Sequence, residues 1–113
     1  MKSPLSAATE TPLLEPEIDT RSRLLPPYHV ILFNDDDHST DFVIDVLRKV
    51  YSFTAERAFQ LMMTAHETGR VIVWTGAKEV AELKQEQMTT FHETRQRDNK
   101  DLGPLEVTIE PAE

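Results

Sequence analysis

Six consecutive residues, Tyr28-His29-Val30-Ile31-Leu32-Phe33, form a β-branched and aromatic run fenced by Pro26-Pro27 before it and Asn34-Asp35-Asp36-Asp37 after it. Proline cannot donate to a strand ladder, and a row of carboxylates cannot continue one. The run therefore predicts a strand with abrupt ends, and the acidic cluster a loop. The rest of the chain has to be arranged around it. Ser39 or Thr40 can cap a helix with Asp41 in its first turn, and Phe42, Val43, Val46, Leu47 and Val50 follow at helical spacing. Thr54 can cap a second helix, with Ala58, Leu61, Met62 and Ala65 on one face and Gly69 placed to end it. Arg70-Val71-Ile72-Val73-Trp74 predicts a second strand. Gly76 then leads into a third helix carrying Ala77, Val80, Ala81, Lys84, Met88 and Phe91 along one stripe. Its polar end is expected to fray into Arg95–Lys100. After the Gly103-Pro104 turn, Leu105, Val107 and Ile109 alternate with Glu106, Thr108 and Glu110, as in a strand with one wet face. The order β-α-α-β-α-β predicts an α/β (α+β) sandwich, a three-stranded antiparallel sheet with three helices on one face.

At 113 residues the chain has room for one domain. Residues 1–25 differ from the remainder. They carry Pro4, Pro12 and Pro16 among Ser, Thr and Glu, and their only apolar clusters, Leu13-Leu14 and Leu24-Leu25, have no period. We expect a disordered tail over 1–25 and a folded domain over 26–113. Twelve Lys+Arg against twenty Asp+Glu give a net charge of −8, which repels nucleic-acid phosphates and anionic lipid and favours cationic partners. Cysteine is absent, which removes disulfides, thiolate metal sites and cysteine nucleophiles. No apolar run approaches the roughly 20 residues of a membrane helix, and Leu5-Ser6-Ala7-Ala8 is too short for a signal peptide core. The expected compartment is the cytoplasm.

No catalytic constellation stands out, and with three glycines there is no phosphate-cradling loop. Asp35, Asp37 and Ser39 have the alternate spacing of a calcium loop. Counted from Asp35, however, the sixth position is Thr40 and the twelfth Val46, where glycine and glutamate belong. His66-Glu67 and His92-Glu93 each lack the second histidine of a helical zinc motif. The ordinary reading of the acidic segment is a solvated turn, and that of His66 a boundary residue above the core. A functional reading gathers Asn34, the Asp cluster and His66 beside an apolar wall of Val43 and Met62. That set suits an ammonium group next to a bulky apolar side chain, as at a protein N-terminus with a large first residue. An α-amino group, with pKa about 7.7–8.0, is mostly cationic at pH 7 and carries three donors. Charge-assisted bonds worth ~1.5–3 kcal/mol each, plus ~1.5–3 kcal/mol for burying Leu or Phe, put micromolar affinity within reach. Sequence alone does not bring His66 to Asn34.

Pro27–Asp36, Phe42-Val43-Ile44-Asp45-Val46-Leu47, Glu56-Arg57-Ala58, Leu61–Gly69, and Glu79-Val80-Ala81-Glu82 with Lys84 together resemble the ClpS adaptor family. The resemblance runs over about residues 26–94 and resumes at Pro104-Leu105. It implies an adaptor rather than an enzyme, one that captures proteins with a bulky hydrophobic N-terminal residue (an N-degron) and hands them to a Clp AAA+ unfoldase of the ClpA or ClpC type. By position, Asn34, Asp35, Asp36 and His66 resemble the family's contacts to the α-amino group and first peptide unit. Thr40, Val43, Met62, Ala65 and Leu105 resemble the side-chain pocket, and Glu79 and Lys84 the face that docks on the unfoldase N-domain. The tail resembles the family's delivery extension. No cofactor or metal is implied, and a monomer suffices. Two departures are visible. The family pattern after the Asp pair is Tyr-Thr-Pro-Met, here Asp37-His38-Ser39-Thr40, so the gatekeeper methionine is replaced by a shorter threonine. The connection from Phe91 to Leu105 is also several residues longer, and we expect an extended loop there. Two further readings stay open: a ClpS-like module with altered or lost specificity that acts only by docking on the unfoldase, and a small metal enzyme using the Asp cluster with His38. The second has poor ligand spacing and no nucleophile.

Overall fold

The computed structural model describes residues 25–112, so the tail expected over 1–25 lies, but for Leu25, outside the described residues. The elements in chain order are β1 (Tyr28–Phe33), α1 (Thr40–Tyr51), α2 (Ala55–Thr68), β2 (Arg70–Gly76), α3 (Lys78–Thr90), β3 (Glu93–Arg95), β4 (Lys100–Gly103) and β5 (Val107–Pro111). β2, β1 and β5 form the antiparallel sheet in that spatial order. β1 is central, and its Val30, Ile31 and Leu32 are all buried. Val30 and Leu32 point to one side and join Val73, Val107, Val46, Leu47, Ala58, Leu61, Ala65, Ala81 and Met88 in one buried cluster. A register shift between Val30 and Ile31 leaves Val73 unpaired on β2, so Val73 and Trp74 both lean on that cluster.

The helix starts are those the sequence predicts. Ser39 Oγ accepts from Phe42 N at 3.1 Å and Thr54 Oγ1 accepts from Arg57 N at 3.1 Å. The segment after α3 differs from expectation. The helix stops at Thr90, and residues 93–103 pair as a hairpin in place of a fraying helix and open loop. The hairpin has no alternating apolar pattern. Turn chemistry closes it: Arg95 grips Asp98 with two bonds of 3.0 and 2.7 Å, and Asn99 takes the left-handed conformation at φ 57°.

Gly69 ends α2 with φ 97°. Its N–H closes on Ala65 O at 2.8 Å, and its carbonyl accepts from Asn34 N at 3.0 Å. One residue thus joins the end of α2 to the end of β1. Nothing lies within 4 Å of where a Cβ would stand, so the only penalty of Gly69→Ala is backbone strain. We expect that variant to lose about 1–2 kcal/mol in urea denaturation with an unchanged m-value. A loss below about 0.5 kcal/mol would show that this junction relaxes freely.

Candidate functional site

The loop that leaves β1 is folded by its own first carboxylate. Asp35 Oδ1 accepts from Asp37 N at 2.9 Å and from His38 N at 2.8 Å, an Asx turn extended by one residue. His38 Nδ1 closes the same carboxylate at 2.9 and 3.1 Å. Burial disfavours charge on Asp35, but these three donors outweigh it and hold its carboxyl below the usual carboxylate value. Asp35 thus folds its own loop, while its Oδ2, which meets only His38 Nδ1, keeps acceptor capacity in the pocket that Asp35 lines. Among the described residues Asp36 has no such partner, and it stands exposed beside exposed Asn34. Asn34 sits at the end of β1 because Phe33 N still reaches Glu106 O at 3.0 Å and Asn34 N reaches Gly69 O.

Around this loop lies a pocket of about 190 Å³. Every residue assigned above to the α-amine and side-chain sites lines it: Asn34, Asp35, Asp36 and His66, and Thr40, Val43, Met62, Ala65 and Leu105. Leu32, Phe33 and His38 line it too, and the sequence reading did not place them there. The walls divide by chemistry. Exposed Asn34, Asp36 and His66 bring polar acceptors to the rim, while Met62, Ala65 and Leu105 are 5% exposed or less. Met62 is informative because it is buried yet absent from the main core cluster. A methionine on the inner side of α2 would ordinarily be core; this one lines the pocket instead.

His38 is the residue whose place the sequence did not reveal. Its ring is stacked on Phe42 with centroids 5.4 Å apart, its side chain is 5% exposed, and its Nε2 lies 2.9 Å from Gly103 O on β4. Burial works against a charged ring. The Gly103 carbonyl and the Asp35 carboxylate outweigh it and hold the imidazole above its ordinary value. Both nitrogens are turned to protein acceptors, so neither presents a lone pair to a metal ion, which counts against the metal-enzyme reading. One residue on, Ser39 N and Oγ bond Glu93 Oε1 and Oε2 at 2.9 and 2.6 Å. A carboxylate from the hairpin thus sits at the N-terminus of α1, where the helix dipole favours it.

The two residues assigned to docking lie on α3, in separate settings. Glu79 is exposed in the first turn, beside the exposed apolar side chains of Val80 and Leu83. Lys84 is half-buried, donating to Val50 O at 3.2 Å with its ammonium 5.4 Å from the Tyr51 ring centre, so it also secures the end of α1.

Comparison with known proteins gives one consistent result. A family model described as ATP-dependent Clp protease adaptor protein ClpS matches residues 24–108. The ATP-dependent Clp protease adapter protein ClpS of Cronobacter sakazakii is 44% identical over 98 residues, covering 85% of this chain and 87% of that protein. That of Vibrio cholerae serotype O1 is 41% identical over 102 residues, covering 88% of each. Among solved structures, Agrobacterium tumefaciens ClpS2 bound to L-phenylalaninamide superposes with a TM-score of 0.62 at 31% identity, covering 76% of this chain and 96% of that one.

Proposed function

Since this chain belongs to the ClpS family of Clp protease adaptors, we propose that it captures proteins bearing a bulky hydrophobic N-terminal residue and delivers them to a Clp AAA+ unfoldase for proteolysis. One observation carries the reading: free polar acceptors and a buried apolar floor share one pocket. Asn34, Asp36 and His66 offer an amide oxygen, a carboxylate and an imidazole nitrogen, which match the three donors of an α-ammonium group. Val43, Met62, Ala65 and Leu105 offer a floor for the first side chain. Phenylalaninamide, which the related ClpS2 holds, combines a free α-amine with a bulky aromatic group. Asp35 belongs to the same acceptor set, and it also folds the loop that presents Asn34 and Asp36. Nothing in this function requires chemistry from the chain itself, and we read it as a non-enzymatic, monomeric adaptor of the cytoplasm.

Glu79 and Lys84 we assign to docking on the N-domain of a ClpA- or ClpC-type unfoldase. The exposed Val80 and Leu83 beside Glu79 support that assignment, since an interface needs apolar contact within a polar frame.

Fluorescence anisotropy with labelled peptides tests the capture step. Peptides beginning with free Leu or Phe are expected to bind in the micromolar range. Acetylating the Leu peptide removes the charge and two of the three donors, and is expected to weaken binding by at least about 100-fold. Equal binding of both forms would leave α-amine recognition without support. Binding of neither would favour a protein that acts on the unfoldase by docking alone.

A further inference from the structure

We propose that the β3–β4 hairpin is a strut for the ligand-binding loop, and that His38 is the positioning residue that clamps the two together as an imidazolium. The argument starts from hydrogen-bond chemistry. A neutral imidazole has one donor and one acceptor nitrogen, whereas a carboxylate and a backbone carbonyl only accept. His38 stands between one of each: Asp35 at Nδ1 and Gly103 O at Nε2. In either neutral tautomer one ring nitrogen would set a lone pair against another. Only the doubly protonated ring satisfies both sides.

What the clamp joins gives it a role. Glu93 and Gly103 face one another across the hairpin, and each holds one residue of the 38–39 pair: Glu93 binds Ser39, and Gly103 binds His38. Two residues beyond Gly103 stands Leu105, a wall of the pocket. On the other side of the clamp stand Asp35, Asp36 and Thr40. The link therefore fixes the spacing between the polar rim and the apolar wall. The charged groups facing the ring are Asp35 from the loop and Glu93 from β3, with Asp36 and His66 on the same pocket. From α1 and β4 come uncharged groups, the Phe42 ring and the Gly103 carbonyl. Both nearby acids favour the proton. As pH rises through the His38 titration, the link to one of its two acceptors is lost.

This inference rests on the pocket being the N-degron site, and its test separates the two. Without peptide, NMR of the His38 ring is expected to show both ring N–H groups at pH 6 and a titration midpoint above the ordinary imidazole value. A ring with one proton at pH 6 overturns the clamp. With peptide, wild type and His38→Gln are compared across pH 6 to 9. Titration of the peptide amine is common to both proteins and divides out of their affinity ratio. That ratio is expected to be about 10 in favour of wild type at pH 6 and to fall below about 2 by pH 9. A ratio independent of pH overturns the positioning role while leaving the adaptor reading intact. Failure of wild type to bind any free-amine peptide overturns the adaptor reading itself, with the ring titration still deciding the clamp. Should His38→Gln fold poorly, Glu93→Gln leaves the ring in place. It is expected to weaken binding about threefold and, because the Glu93 charge helps hold the His38 proton, to move the pH dependence to lower pH, and wild-type affinity in that variant would overturn the strut.

Discussion

His66→Ala and Asn34→Ala are each expected to weaken binding of a Leu-first peptide by about 10- to 100-fold while leaving the melting temperature within about 2 °C of wild type. Both side chains are exposed, and among the described residues neither is bonded to the protein, so their removal leaves no buried group unsatisfied. The loss on the ligand side is different in kind. An ammonium drawn from water against an apolar floor needs its donors met, and each charge-assisted bond is worth about 1.5–3 kcal/mol, or roughly one to two decades in affinity. The pair touches one ligand group, so their effects are not additive: the double variant is expected to lose less than the product of the singles. Anisotropy and thermal denaturation on the same samples decide the matter. A parallel fall in melting temperature would make these residues part of the fold's support. Unchanged affinity would mean the α-amine is held elsewhere.

Much of this arrangement was legible because it is written in local signals. The β1 run is fenced by prolines and carboxylates, Ser39 and Thr54 are caps, and Gly69 is a helix stop. Each rests on chemistry within a few residues. Of the pocket, the walls could be assigned by resemblance, but their meeting could not be derived: Asn34 and His66 approach because Gly69 binds the end of β1, a contact over 35 residues of chain. The hairpin was missed for a physical reason. Glu93–Gly103 holds a single large apolar residue, Leu102, so no period of two can show. Its signal was the Asp98-Asn99 turn pair, with Arg95 three residues back. From the order of residues His38 reads only as a candidate metal ligand, since nothing there announces Gly103 as its partner 65 positions away. Lys84 shows the converse, a residue assigned to a surface that also secures the end of α1.

Selectivity should depend on Thr40. It is the first residue of α1, exposed, on the rim of the pocket, and its place is set by the Ser39–Glu93 bonds immediately before it. The family pattern places methionine here, and methionine reaches two heavy atoms further than threonine. A ligand with a β-branched first residue carries its extra carbon close to its own backbone, at the mouth of the pocket where residue 40 stands. With threonine that carbon has room. Leu-first and Ile-first peptides are therefore expected to differ by less than about 10-fold in this protein. Thr40→Met is expected to widen the difference by a further 10-fold or more, since a misfitted methylene in a close pocket is worth about 1–3 kcal/mol. The change is expected to fall on the Ile peptide, because Leu branches one carbon further from its own backbone. Melting temperature is expected to stay level, since the side chain is exposed and methionine is a good helix former. Measuring four affinities, two peptides on two proteins, completes the cycle. Strict rejection of Ile by the wild-type chain, with no change on Thr40→Met, would move discrimination away from residue 40 and into the buried walls, Met62 and Leu105.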